Sequence, residues 1–166
     1  MGNYIRIDKI DSANGPGVRV VLWMAGCNHH CPFCHNPETW DPSVGQPFTE
    51  PSMSELLNDL DKPFIEGLTI SGGDPLFPAN RDTVLSIVKK CKEKLPEKNI
   101  WLWTGYLWEE IKNLELLKYV DVLVDGPFLI SEKDMRLPYS GSRNQRVIDV
   151  QRSLHEGTIS LLNYNK

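Results

Sequence analysis

Three cysteines lie close together at Cys27, Cys31 and Cys34, with the spacing C-x3-C-x2-C. Three thiolates on one short loop can ligate three irons of a cubane iron–sulfur cluster, whereas a fully ligated cluster has four cysteine ligands. The fourth iron would then keep an open coordination position, as the metal of a catalytic zinc site does. The spacing therefore predicts a cluster at which a substrate or a cofactor binds.

A zinc site is the alternative interpretation, with His29, His30 or His35 as the fourth ligand. Structural zinc sites usually combine two ligand pairs, and the second pair lies well downstream of the first. The only other cysteine is Cys91, on the apolar face of a helix predicted over residues 81–95, where a free cysteine is expected to be buried. The spacing favours the cluster, and a zinc-stabilised interaction module remains the non-enzymatic alternative.

Composition limits the class of protein and its partners. With 166 residues, the chain is expected to form one domain over residues 1–166. The net charge of −4 and the lack of a basic stretch argue against nucleic-acid binding. No apolar run is long enough for a membrane span, and the N-terminal residues do not resemble a secretory signal. Because three crowded cysteines suit a reducing compartment, we expect a cytoplasmic protein.

Strand and helix patterns alternate along the chain and predict the α/β class. Strands are predicted over residues 18–24, 67–71, 99–103, 120–125 and 146–150, helices over 52–60, 81–95 and 107–118, and loops over 35–51 and 126–145. Strands separated by such helices form a mainly parallel sheet with right-handed crossovers. Four or five strands are too few for a closed eight-stranded barrel. We therefore expect an open, partial (β/α) barrel, with the cysteine loop after the first strand.

The unusual residues follow the predicted strands, where such folds bind their ligands. Cys27 follows the first strand, and the turn Gly72-Gly73-Asp74 follows the second. A double glycine lets the backbone approach a ligand closely, and the carboxylate of Asp74 can neutralise an ammonium group, so this turn suits an amino-acid moiety. Thr104 and Asp125 follow the next two strands and are predicted to line the same pocket.

Together, the cysteine spacing, the aromatic Phe33 and the glycine–glycine–acid turn resemble the radical S-adenosylmethionine superfamily. The resemblance implies that the three cysteines hold a [4Fe–4S] cluster whose open iron binds the amino and carboxylate groups of S-adenosylmethionine. An electron delivered through the cluster would split the sulfonium, and the 5′-deoxyadenosyl radical would abstract a hydrogen atom. Phe33 and His35, on either side of Cys34, would approach the adenine. Gly72, Gly73 and Asp74 would contact the methionine amino group; most members carry glutamate at the last of these positions.

Further segments resemble one family of glycyl-radical activases, those that serve anaerobic ribonucleoside-triphosphate reductases. These segments are residues 14–19, 34–40, 45–48, 71–76, 103–106, 124–128 and 141–146. The resemblance implies hydrogen abstraction from a glycine of the large reductase subunit, which would be the partner, and a flavodoxin-like or other low-potential electron donor. The enzymatic alternative is a radical enzyme that acts on another glycyl-radical enzyme or on a small molecule.

A few other side chains receive weaker predictions. Trp101 and Trp103 share one face of their strand and are predicted to belong to the core. His29 and His30 are interpreted as spacers within the cysteine loop. Arg143 and Arg146 receive no defined role, and neither do residues 151–166, where His155 is expected in a C-terminal helix.

Overall fold

A computed structural model of the chain describes residues 2–34 and 37–164. In this part of the chain, seven strands form one sheet: β1 Asn3–Asp11, β2 Arg19–Met24, β3 Gln46–Pro47, β4 Gly67–Gly72, β5 Asn99–Trp103, β6 Val122–Asp125 and β7 Arg146–Asp149. The α-helices of the same residues are α1 Glu50–Leu60, α2 Arg81–Lys94, α3 Trp108–Ile111 and α4 Val150–Glu156. None of them is long and apolar enough to cross a membrane.

The sheet is open and mixed, with the strand order β3-β1-β2-β4-β5-β6-β7. Strands β2, β4, β5 and β6 are parallel to their neighbours in this central block. Strand β1 is antiparallel to β2 and β3, and β7 is antiparallel to β6. The predicted α/β class and the parallel central strands are confirmed.

One face of the sheet carries the main apolar core. Alternate strand residues such as Leu22, Ile70 and Leu102 pack there with apolar residues of all four helices. Cys91 is buried in this core, as its position on the helical face predicted. The opposite face, called the inner face below, carries Trp101 together with the residues Trp103, Val122, Val124, Tyr139 and Val147. Trp101 and Trp103 therefore share a face, as predicted, and their rings stack 5.6 Å apart.

Strand β1 was not predicted, and its presence changes the place of the cysteine loop. Charged side chains such as Arg6, Asp8 and Lys9 interrupt its apolar pattern, and only Tyr4 of this strand is buried. The segment still forms a strand because it pairs along β2. The cysteine loop consequently follows the second strand of the chain instead of the first. The short β3 likewise lies inside the segment 35–51 that was predicted to be loop.

Two predicted helices have different bounds in the structure. Helix α1 begins at Glu50, where Thr49 is the N-cap residue, and Ser52 completes the capping box from the third helical position. The helix predicted over 107–118 is broken, because Leu114 is extended, with φ −68° and ψ 132°. Helix α3 ends before this residue, and a 3-10 helix over Glu115–Tyr119 follows it.

The loop 126–145 and the segment after α4 cover the inner face. The loop 126–145 contains a 3-10 helix at Ile130–Glu132, and the indole Nε1 of Trp103 donates to the carbonyl of Tyr139 over 2.9 Å. Helix α4 contains His155, as expected, and ends at Gly157, which has a φ of 75°. The chain then returns along β7, and the ring of Tyr164 lies 5.8 Å from that of Trp101.

Candidate functional site

A cavity of about 370 Å³ lies at the carboxyl edge of the parallel strands and extends along the inner face. All three cysteines of the loop line it, together with Gly72 and Gly73 from the end of β4 and Thr104 from the end of β5. Along the inner face, farther from the cysteines, its wall includes Asn14, Trp23, Trp103 and Tyr139. The fold thus brings the cysteine loop and the turns after two neighbouring strands to one cavity.

The cysteine loop is anchored where it leaves β2. The amide of Gly26 donates to the carbonyl of Thr39 over 2.7 Å, and the amide of Cys27 donates to the carbonyl of Trp40 over 3.1 Å. Cys27 is buried, whereas Cys31 and Cys34 are half-buried, and none of the three forms a disulfide. Burial raises the pKa of the Cys27 thiol to about 11, although the backbone N–H groups of His29 and His30 favour its thiolate. Three cysteine sulfurs at one cavity fit the thiolate set that an iron–sulfur cluster requires.

The double-glycine turn lies directly against the start of the cysteine loop. The amide of Asp74 donates to the carbonyl of Gly26 over 2.7 Å. A Cβ atom on Gly73 would lie 2.6 Å from the carbonyl oxygen of Gly26 and 2.7 Å from that of Thr39. Gly72 has a φ of +116°, a conformation that favours glycine. Both glycines are therefore required by the backbone, and their close packing shapes the cavity wall.

The carboxylate of Asp74 is buried and does not belong to the cavity lining. It accepts hydrogen bonds from the amide of Leu76, the hydroxyl of Thr104, the amide of Gly105 and Nε2 of His29. His29 is therefore more than a spacer, because its Nε2 lies 2.6 Å from Oδ2 of Asp74. The second histidine, His30, packs against Trp40, with ring centroids 4.4 Å apart.

Asp125 is also buried and, unlike its neighbour Gly126, does not line the cavity. Its Oδ2 accepts from the amide of Trp108 over 2.8 Å and from Nη2 of Arg146 over 2.6 Å. Arg146 also binds Glu109, and its pKa is raised chiefly by the hydrogen bonds from its guanidinium to Asp125. These contacts connect the last residue of β6 and the first residue of β7 to the start of α3. They give Arg146 a structural partner, and the predicted place of Asp125 in the cofactor pocket stays a prediction.

The flanks of the last cysteine are less fully described. Phe33 has a φ of +60°, is 76% exposed and does not line the cavity. His35 lies outside the described residues. Their predicted approach to an adenine ring therefore stays a prediction.

Comparison with known proteins identifies the family. A family model described as a 4Fe-4S single cluster domain matches residues 13–148. A protein of Enterobacteria phage T4 named anaerobic ribonucleoside-triphosphate reductase-activating protein is 50% identical over 145 residues, which are 87% of this chain and 92% of the relative. Proteins of the same name from Vibrio cholerae and Escherichia coli are 44% and 41% identical, over 86% and 87% of this chain and over 95% and 97% of their own lengths. The chain belongs to the family of anaerobic ribonucleoside-triphosphate reductase-activating proteins.

Membership of the activating-protein family supports an iron–sulfur cluster over the zinc alternative, because the matching domain is a 4Fe-4S domain. In this member of the family, the cavity also has walls that the sequence did not indicate. Trp40 and His29 line it near the cysteines, and Phe128, Tyr139, Gly141 and Gln145 line it from the loop 126–145. The sequence analysis gave none of these residues a place in the pocket, and Phe128, Tyr139, Gly141 and Gln145 reach the cavity only because the loop 126–145 folds over the inner face.

Proposed function

We propose that this chain activates an anaerobic ribonucleoside-triphosphate reductase by forming a glycyl radical on its large subunit. The observation that carries the proposal is the cavity that Cys27, Cys31 and Cys34 share with the double-glycine turn. Relatives that are 40–50% identical to this chain are named as activating proteins of this reductase.

The cavity offers donors for both groups that this function needs. Cys27, Cys31 and Cys34 would hold a [4Fe–4S] cluster, and the backbone at Gly72 and Gly73 would carry the methionine moiety of S-adenosylmethionine. Thr104 would line the pocket, while Phe33 and His35 are proposed to approach the adenine. When bound, these groups supply a one-electron cleavage of the sulfonium and, with it, hydrogen-atom abstraction from glycine.

The rest of the cavity suits a substrate that is part of another folded protein. Its wall continues from the cysteines along the inner face to Asn14 and includes the rings of Trp23 and Trp103. We infer that the sheet curves as an open, partial (β/α) barrel, whose open side admits a glycine-bearing segment of the large subunit. The half-buried Cys31 and Cys34 would lie on the side that receives an electron from a flavodoxin-like or other low-potential donor.

Electron paramagnetic resonance tests this function directly. Anaerobically reconstituted, reduced protein is mixed with S-adenosylmethionine and the large reductase subunit from the same source. We expect a glycyl doublet that requires every component and disappears in Cys31→Ala, because a cluster ligand is lost. Cys91→Ala is the matched control, and it should keep the doublet because Cys91 is a residue of α2 whose side chain is buried in the main core.

Two results would contradict parts of the proposal. Release of methionine and 5′-deoxyadenosine without a doublet would retain the radical chemistry and reject the reductase as the partner. One zinc ion per chain, without iron or acid-labile sulfide, would reject the cluster and return the chain to the zinc-module alternative.

A further inference from the structure

The carboxylate of Asp74 connects three segments that are distant in sequence: its own turn, the end of β5 and the cysteine loop. We propose that Asp74 is a positioning residue that acts through His29 on the sulfur of Cys27, and that its carboxylate does not contact the bound cofactor. The pair Asp74–His29 is called the clamp below. The effect on a cluster rests on the proposed function, whereas the effect on the loop does not.

The carboxylate of Asp74 has no acceptor position left. Oδ1 accepts from the amide of Leu76 over 2.9 Å and from the hydroxyl of Thr104 over 2.8 Å. Oδ2 accepts from the amide of Gly105 over 2.9 Å and from Nε2 of His29 over 2.6 Å. A carboxylate has about four lone-pair positions, so these four donors occupy it. An ammonium group could bind only by displacing one of them, which would leave a donor without its partner in a buried site.

The clamp and the residues around it hold the imidazole of His29 in one position. The exposed fraction of its side chain is 17%, against 1% for Asp74. A Cβ atom on Gly105 would lie 2.6 Å from Cδ2 of the imidazole, so the end of β5 packs directly on the ring. The ring of Tyr106 lies edge-on at 4.5 Å. The imidazole is therefore fixed by a hydrogen bond on one side and by packing on two others.

This position lies beside a cluster ligand. His29 is two residues after Cys27, and the Cys27 sulfur, a ring nitrogen of His29 and a carboxylate oxygen of Asp74 all lie within 4.8 Å of one another. Fixing the imidazole therefore fixes both the loop next to Cys27 and the group that lies beside its sulfur. Groups behind metal ligands orient them, and the surroundings of the cluster sulfurs help to set the reduction potential of an iron–sulfur cluster. A change at Asp74 in the glycine–glycine–acid turn is therefore expected to change the reduction potential of the cluster through His29.

The clamp can be tested in the metal-free full chain under reducing conditions. Asp74→Asn and His29→Ala should each accelerate alkylation of Cys27 by iodoacetamide about tenfold relative to Cys91, measured by mass spectrometry, because a loosened loop exposes a buried thiol. The double variant should react no faster than either single variant, since both remove the same interaction. His29→Gln, which offers an amide donor, should restore part of the protection.

The loaded protein gives a second readout. Asp74→Asn and His29→Ala should shift the reduction potential of the cluster in the same direction and weaken binding of S-adenosylmethionine by similar factors. Asp121→Asn and His155→Ala are matched controls that should change neither property, because both side chains lie away from the cavity. If the wild-type chain takes up no cluster, the proposed function fails, and the alkylation rates still decide the clamp.

A different pattern would overturn the inference. If Asp74→Asn alone weakened cofactor binding, while His29→Ala left both binding and Cys27 alkylation unchanged, the carboxylate would be a direct ligand. Should Asp74→Asn fail to fold, His29→Ala and Gly105→Ala decide the question, because both disturb the imidazole and leave the carboxylate in place. Unchanged Cys27 protection in these two variants would equally reject the clamp.

Discussion

At Gly73, the backbone of two neighbouring segments leaves no room for a side chain. Gly73→Ala would bring a Cβ within 2.6 Å of one carbonyl oxygen and 2.7 Å of another, and neither backbone atom can move without displacing the cysteine loop. We expect a loss of about 1–3 kcal/mol in the free energy of unfolding and a marked fall in cluster content. Urea titration and iron and sulfide analysis measure the two effects.

Gly141→Ala is the matched control for this variant. Gly141 also lines the cavity, but its added Cβ would meet only side chains, the ring of Phe128 at 3.1 Å and Oε1 of Gln145 at 3.5 Å, and side chains can shift. We therefore expect cluster content close to that of the wild type. Equal losses in the two variants would show that any methyl group in the cavity wall has the same effect, and would contradict the role assigned to the Gly73 backbone.

The residues that sequence analysis found are those whose pattern is local. The three cysteines and the double glycine each form a short motif, and the fold brings both motifs to one cavity. The hydrogen bonds of the Asp74 carboxylate were missed because their donors come from positions 29, 76, 104 and 105, which only the parallel strand order brings together. Asp125 was placed in the pocket because it ends a strand, whereas its partner Arg146 comes from the antiparallel β7.

At the scale of elements, a buried arginine joins the parallel strands β2 and β4 near their first residues, at the ends opposite the cysteine loop. Arg19 of β2 is fully buried, and its Nε donates to the hydroxyl of Thr69 in β4 over 2.8 Å. Its other nitrogens donate to the carbonyls of Pro16 and Leu68, over 3.1 and 2.9 Å. Burial lowers the pKa of Arg19 to about 10. The planar guanidinium therefore connects the loop before β2 to β4.

Arg19→Lys tests this connection. A lysine has three donors at one point and cannot reach separate acceptors as a guanidinium does, so buried carbonyls would lose their partners. We expect the free energy of unfolding to fall by about 3 kcal/mol in urea titration. Arg6→Lys, on the exposed part of β1, is the control and should change it by less than about 0.5 kcal/mol. A similar small change at Arg19 would contradict the structural role of its hydrogen bonds.

Elements were predictable where burial imposes a continuous apolar pattern. The parallel strands β2, β4, β5 and β6 have this pattern because helices or loops cover both faces. Strand β1 lacks it because all of its residues but Tyr4 are partly or fully exposed, and its charged residues hide the alternation. The break between α3 and the following 3-10 helix was missed because both pieces place apolar residues, such as Ile111 and Leu116, in the same core.

At the scale of the whole molecule, the sheet separates the source of stability from the candidate site. The main core lies on the helical face and includes none of the three loop cysteines. The cavity lies at the strand ends and along the inner face. The order of strands and helices suggested this division, since parallel strands bind ligands at their carboxyl edge. The strand over 146–150 was predicted, but its antiparallel pairing with β6 was not, and neither β1 nor β3 was predicted.

This separation predicts that the chain keeps its fold when the cluster is removed. Small metal-stabilised domains unfold without their metal, because the metal replaces a core. Here, a chain of 166 residues buries a core of its own, so the helical face should remain packed without metal. After treatment with an oxidant and a chelator, we expect an unchanged far-ultraviolet circular dichroism spectrum and a cooperative thermal transition. The transition should lie at a lower temperature, since a bound group stabilises only the folded state. Loss of the cooperative transition would instead show that the cysteine loop organises the whole sheet.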